Sequence, residues 1–237
     1  MVLIRVQPIQ FVIPLWADLL AIGIGGLQGA MFAAQFRNRR LDLLGIAIIG
    51  IASGFGGGLI RDLLLNQVPV ALQSNWYLIV ATGAALIGML LERLFSKLST
   101  VITVLDALTI GIYCAIGTTK AISIGLPAIP SIFVGVIAAV GGSILRDLLL
   151  NLPIALMHVG SLYAVAAVVG SASLVGLLAG GVPVFAAAVF CVLITFSVRV
   201  LAVLFRWRLP EQRRIERIPG IGLLSSRARW QRRQNNR

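Results

Sequence analysis

The chain has 237 residues, of which 59% are hydrophobic and only 12% charged, with a net charge of +12. Soluble domains are about half apolar and about a quarter charged, so this composition, with a mean hydropathy of +0.99, excludes an ordinary soluble protein and points to an integral membrane protein. Its apolar runs are long and continuous instead of alternating, which favours helices over a β-barrel.

Residues 1–15 read as an extracytoplasmic lead. They hold one base, Arg5, and no small-residue cleavage site follows, so they are not a removed signal. Seven apolar segments of about 20 residues, the length a bilayer demands, come next near 16–36, 42–65, 75–95, 101–121, 129–151, 158–179 and 183–205. The connections are short and punctuated by Pro69, Pro127, Pro130, Pro153 and Pro183. The expected fold class is therefore an all-α integral membrane protein with seven transmembrane helices. Arg37, Arg39 and Arg40 lie in the first connection, and Arg93 and Lys97 in the third. Ten of the twenty basic residues lie between Arg206 and Arg237, whereas the loops around 66–75, 122–130 and 180–183 contain no Lys or Arg. The positive-inside bias then predicts a multi-pass protein of the plasma membrane, with its N-terminus outside and its tail, 207–237, in the cytoplasm.

One stretch occurs twice. Gly56-Gly57-Gly58-Leu-Ile-Arg61-Asp62-Leu-Leu-Leu-Asn66 is echoed by Gly141-Gly142-Ser143-Ile-Leu-Arg146-Asp147-Leu-Leu-Leu-Asn151, and each is followed by a proline, Pro69 or Pro153. The likeness reaches further: Asp18 through Gly23 matches Asp106 through Gly111, and Gly29 and Gly117 follow at equal distance. Residues 16–95 and 101–179 thus read as two copies of a three-helix unit, with 183–206 as an added seventh span. Because three is odd, the copies insert with opposite orientation, a 3+3 inverted repeat of the kind transport proteins use, with the functional site where broken helices meet near mid-membrane.

Ionisable groups inside a membrane are costly and mark function. Asp18 shares a depth with Arg61 toward the outer side, and Asp106 with Arg146 toward the inner side, so two ionic latches are predicted, Asp18–Arg61 and Asp106–Arg146. Asp62 and Asp147 stand beside them. The competing readings are a static buried Arg-Asp pair and charges that snorkel to the interfaces. The glycines Gly56, Gly57, Gly58, Gly141 and Gly142, with Ser143 in the third place of the second copy, are predicted to break helices two and five and free carbonyls for a dehydrating cation. Ser53, Ser143, Thr118 and Thr119 are possible hydroxyl ligands, although small and hydroxylated residues also serve ordinary helix contacts. Lys120 has no basic counterpart in the first copy, where Phe32 takes its place. It reads as a snorkelling interface residue or as a charge that responds to voltage.

Cys114 and Cys191 sit within apolar runs and read as buried small hydrophobes instead of a disulfide or metal site. His158 stands alone without an acidic cluster, which argues against a metal centre. No G-x-S-x-G turn supports an intramembrane protease, and an enzyme is not expected. Asn38, Asn66 and Asn151 suit helix caps or turns. Trp16, Trp76, Tyr77, Tyr163 and Trp207 fall where an interface belt requires aromatics. The basic tail suits membrane lipids as a partner, and not nucleic acid.

The doubled G-G-x-x-R-D motif, the inverted repeat and the seventh helix resemble the prokaryotic trimeric intracellular cation channels over roughly residues 15–206. The resemblance implies a homotrimer in which each subunit has its own pathway for monovalent cations, selective for potassium, with helices two and five kinked at Gly56-Gly57-Gly58 and Gly141-Gly142. No cofactor is implied beyond the transported ion and bound lipid. Members of the same family also carry the description of a glycine transporter, which implies a secondary transporter of a small amino acid as the alternative.

Overall fold

A computed structural model describes residues 13–36, 41–94, 99–157, 162–205 and 207. Arg37, Asn38, Arg39, Arg40, Lys97, His158, the lead up to residue 12 and the tail apart from Trp207 lie outside the described residues.

Among the described residues seven α-helices follow one another: α1 (Leu15–Ala34), α2 (Leu43–Leu64), α3 (Asn75–Leu94), α4 (Ser99–Ser123), α5 (Ala128–Leu149), α6 (Tyr163–Ala179) and α7 (Val184–Leu204). Six are long and apolar enough to cross a membrane, and α6 is a shorter apolar helix of 17 residues. Proline sets three of the starts. Pro14, Pro127 and Pro183 hold the extended conformation immediately before α1, α5 and α7, where a missing N–H costs nothing. Asp42 caps α2, its Oδ1 accepting from the Gly45 N–H at 2.6 Å.

The ends of α2 and α5 are built identically. Asn66 and Asn151 take the left-handed conformation, φ 52° and 47°. The Gln67 N–H then donates to the Asp62 carbonyl and the Leu152 N–H to the Asp147 carbonyl, both at 2.8 Å, the paired bonds of a Schellman cap. The spans expected to run to 65 and 151 stop at Leu64 and Leu149 for this reason. Each is followed by one 3₁₀ turn, Val70–Leu72 or Ala155–Met157. The start expected for the sixth span, at 158, lies outside the described residues, and α6 runs from Tyr163 after its N-cap Leu162.

α1 packs against α2, α3 and α4, and α4 against α5, α6 and α7. The two three-helix units meet along α2 and α5. A Cβ on Gly57 would collide with the Ala138 carbonyl, and one on Gly142 with the Ser53 carbonyl. The two helices therefore run antiparallel, and the seam maps onto itself when the units are exchanged. Large apolar side chains on the outer faces, among them Leu44, Ile48, Leu78, Ile79, Phe133, Phe190 and Leu193, are exposed, as a lipid-facing surface requires. Of the aromatics expected in the interface belts, Trp16, Trp76 and Trp207 are exposed, but Tyr77 and Tyr163 are buried. Tyr163 is turned inward because it lies beneath a buried arginine.

Candidate functional site: two buried charge clusters across a glycine seam

Arg61 and Asp62 close α2 and are fully buried. The Arg61 Nε donates to Asp62 Oδ1 at 2.8 Å, and Asp18 of α1 lies 3.5 Å from Arg61 Nη1. Lys120 of α4 donates from Nζ to the same Asp62 Oδ1 at 2.8 Å. The other carboxylate oxygen, Oδ2, accepts from the Val70 N–H at 2.9 Å and so pins the turn that follows α2. Asp18, Asp62, Arg61 and Lys120 together sum to zero formal charge. This balance makes the burial tolerable, since an unpaired ion in a low dielectric costs several kcal/mol or more.

The second cluster repeats the plan with one substitution. Arg146 donates to Asp147 Oδ1 from Nε at 3.0 Å and from Nη2 at 2.8 Å, and Asp106 of α4 lies 3.8 Å from Arg146 Nη1. Asp147 Oδ2 accepts from the Ala155 N–H at 2.9 Å. The fourth charge is Arg199 of α7, with Nη2 3.8 Å from Asp106 Oδ2 and its guanidinium 3.6 Å above the Tyr163 ring. Phe32, the residue at the place of Lys120 in the first copy, lies 4.0 Å beneath the Arg146 guanidinium. Two aspartates and two arginines again sum to zero.

Both expected latches are thus present as ion pairs, but each arginine holds its own neighbouring aspartate at shorter range. Lys120 does not snorkel: its ammonium is committed to Asp62, with 18% of the side chain exposed. A lone arginine in the apolar run from Val184 to Leu204 was the available signal for Arg199. Arg199 lies outside both repeats, so the internal match offers no counterpart that would point to it.

The glycines act differently from expectation. Neither α2 nor α5 is broken: helix runs through Gly56–Gly58 and through Gly141 and Gly142. No carbonyl is released there. The absent side chains instead let two backbones touch, the usual use of small residues between helices in lipid. A Cβ on Gly56 would come within 2.8 Å of Gly142 Cα, and one on Gly141 within 3.2 Å of Gly57 Cα. Gly58 stands apart from this contact, facing the Tyr113 ring and the Arg61 guanidinium. The Tyr113 hydroxyl donates to the Gly54 carbonyl and ties α4 to the seam. Because α2 and α5 are antiparallel, Arg61 and Arg146 stand beyond opposite ends of this contact.

The proposed hydroxyl ligands do not converge on the seam. Ser143 Oγ donates to the Val140 carbonyl of its own helix at 2.8 Å. Thr118 donates to the Cys114 carbonyl and is also hydrogen-bonded to Ser171 of α6, at 2.8 and 3.0 Å. Thr119 is buried beside an apolar groove between α1, α4 and α7, and its Oγ1 finds no partner among the described residues. Ser53 is at the seam, buried next to Gly29, and presents its carbonyl to Gly142. Among the described residues no group of three or more His, Cys, Asp or Glu is placed to hold a metal ion.

The family described as "Glycine transporter" matches residues 15–93 and 103–179. The UPF0126 membrane protein YvgT of Bacillus subtilis is 31% identical over 203 residues, 83% of this chain and 96% of that protein. The UPF0126 inner membrane protein YadS of Escherichia coli K12 is 28% identical over 199 residues, 82% and 94% of the two chains. A solved TRIC cation channel superposes with a TM-score of 0.75 at 31% identity, covering 87% of this chain and all of that one. The TRIC trimeric intracellular cation channel orthologue from Rhodobacter sphaeroides gives a TM-score of 0.74 at 26% identity, covering 81% and 97%.

Proposed function

This chain belongs to the TRIC-type family of membrane proteins, which carries the UPF0126 and glycine-transporter descriptions, and from that membership we propose that it is a homotrimeric channel for monovalent cations, chiefly potassium, with one pathway in each subunit. The observation that carries the reading is the pair of neutral, buried charge clusters at opposite ends of a seam where the backbones of two helices touch. A fixed arginine repels cations from a pathway unless it is neutralised, and each arginine here is neutralised by aspartates held at hydrogen-bond or ion-pair range. The seam is shut in this conformation. Parting α2 from α5 lines the opening with the Ser53 and Ala138 carbonyls, which already face across it.

Lys120 is the movable charge in this reading. It is the partly exposed member of the first cluster, held by one bond to Asp62, whereas Arg61 is fully buried. A charge that moves in the membrane field couples opening to voltage. The protein lies in the plasma membrane with its N-terminus outside and its basic tail in the cytoplasm, against anionic lipid.

The family description favours a second reading, secondary transport of a small amino acid. Recording from purified protein in a planar bilayer under a potassium gradient separates the two. A channel gives unitary currents that reverse at the potassium potential. Absence of unitary currents, together with counterflow of labelled glycine in proteoliposomes, would establish the carrier instead.

A further inference from the structure

The interior between α4, α6 and α7 holds a polar group that the charge clusters do not use. Cys114 and Cys191 are both fully buried free thiols with their sulfurs 3.8 Å apart. Each begins the same pattern, a cysteine with a threonine one turn later: Cys114 and Thr118 on α4, Cys191 and Thr195 on α7. Ser171 of α6 completes the group, with Oγ 2.9 Å from Cys114 Sγ and 3.0 Å from Thr118 Oγ1. Thr195 Oγ1 is fully buried without a hydrogen-bond partner among the described residues. It faces Gly170, where a Cβ would strike it.

Packing does not require these side chains, as the internal repeat shows. A Cβ on Gly135 would meet Thr118, Ser171 and the Cys114 carbonyl. At the corresponding place in the first unit, a Cβ on Gly50 would meet Ala30, Ala85 and the Gly26 carbonyl. The same three-helix contact is therefore made once with alanine and glycine only, and once with two hydroxyls and a thiol. The polar version occurs on the side where α7 adds Cys191 and Thr195.

We propose that Cys114 and Cys191 form a binding site for a divalent d¹⁰ cation of the zinc and cadmium class, completed by the hydroxyl of Thr195 and by that of Ser171 once it exchanges its 2.9 Å contact with Cys114 Sγ for the ion. Two Zn–S bonds of about 2.3 Å at a tetrahedral angle separate the sulfurs by about 3.8 Å, the spacing already present. Thiolate sulfur selects such soft ions over the hard alkali ions. Charge also fits the site. On binding, each thiol loses its proton to solvent and forms one S–metal bond, no electron is transferred, and the dithiolate complex is neutral in a medium that penalises net charge. The bound ion ties α7 to α4 and α6. The assignment stands independently of the channel reading.

The test uses the full-length, reduced, metal-free protein in detergent, with cadmium as the probe. We expect an ultraviolet thiolate-to-cadmium band that saturates at one ion per subunit with release of two protons, and its loss in both C114S and C191S. A second measurement needs no substitution. Cadmium should protect both cysteines of the wild-type chain together from a membrane-permeant maleimide, counted by mass, and a chelator should reverse this. Unchanged labelling in saturating cadmium, or an equal band in the C114S/C191S double variant, rejects the site. Isolation of a Cys114–Cys191 disulfide from cadmium-treated protein, in place of a chelator-reversible complex, also rejects it.

Discussion

Lys120 Nζ lies 2.8 Å from Asp62 Oδ1, so a helix of the second repeat supplies the charge that balances the first. In the second cluster Phe32 takes the place of Lys120, and the balancing charge comes from Arg199, outside the repeats altogether, paired with Asp106. Two copies of one motif are thus neutralised by two different cations on two different helices. The Lys120 side chain is partly exposed and held through one acceptor. Arg199 is buried, stacked on Tyr163, and within ion-pair distance of Asp106.

Lys120→Gln should alter gating more than stability. Asp62 keeps Arg61 and the Val70 N–H as partners. The substitution leaves the first cluster one negative charge in excess, as at Arg199, but Lys120 is partly exposed and solvent screens its place, so the loss should be smaller, about 1–3 kcal/mol. Thermal unfolding should shift less than in Arg199→Met, while single-channel recording should show a changed open probability and a weaker voltage dependence. A voltage dependence equal to that of the wild type excludes Lys120 as the moving charge.

Arg199→Met should be far more damaging. It leaves the second cluster with an uncompensated buried negative charge, a loss of about 3–5 kcal/mol. Asp106→Asn in the same chain should recover much of this by restoring neutrality. Arg199→Lys should recover less, because an ammonium lacks the planar face that stacks on Tyr163. Denaturant titration of the four proteins gives the comparison. Equal stability of Arg199→Met and wild type contradicts the charge-balance account.

Coupling within the first cluster should follow distance. A double-mutant cycle between Arg61 and Asp62, 2.8 Å apart, should give a larger interaction energy than one between Arg61 and Asp18 at 3.5 Å. Both should exceed about 0.5 kcal/mol. No coupling at Asp18 removes the latch and leaves only the pairs between neighbours.

The seam glycines should respond to even one methyl group. Gly57→Ala and Gly142→Ala place a Cβ against a carbonyl of the opposite helix and should cost about 1–3 kcal/mol by overpacking. Gly83 on α3 has open space where a Cβ would go. Gly83→Ala should therefore be neutral, or stabilising by up to about 1 kcal/mol through helix propensity. Larger residues at Gly57 or Gly142 hold α2 and α5 apart instead of filling a gap, so Gly57→Leu and Gly142→Leu should change conductance together with stability. Unfolding and bilayer recording on the same preparations check both effects.

Orientation is accessible by labelling. A cysteine at Ser74, in the loop before α3, should react with an impermeant thiol reagent added outside intact cells, and one at Asp42 should not. The reverse pattern inverts the topology.

The sequence by itself determined the order of the segments and several of their ends. Length and hydropathy set the spans, prolines set the starts of α1, α5 and α7, and the repeated Arg-Asp followed by asparagine set the two Schellman caps. The duplication also revealed the paired aspartates, since Asp18–Arg61 and Asp106–Arg146 share a depth in any inverted arrangement of the copies. Tertiary structure decided which cation completes each cluster, and what the glycines do. Lys120 and Arg199 reach their aspartates only through the rotation of α4 and α7 about their axes, which residue spacing leaves free. A glycine run is equally compatible with a broken helix and with a close crossing. Here an opposing carbonyl fills the space of the missing Cβ at Gly57 and at Gly142, and α2 and α5 remain regular, with their seam glycines packed against the other helix instead of being left in open space.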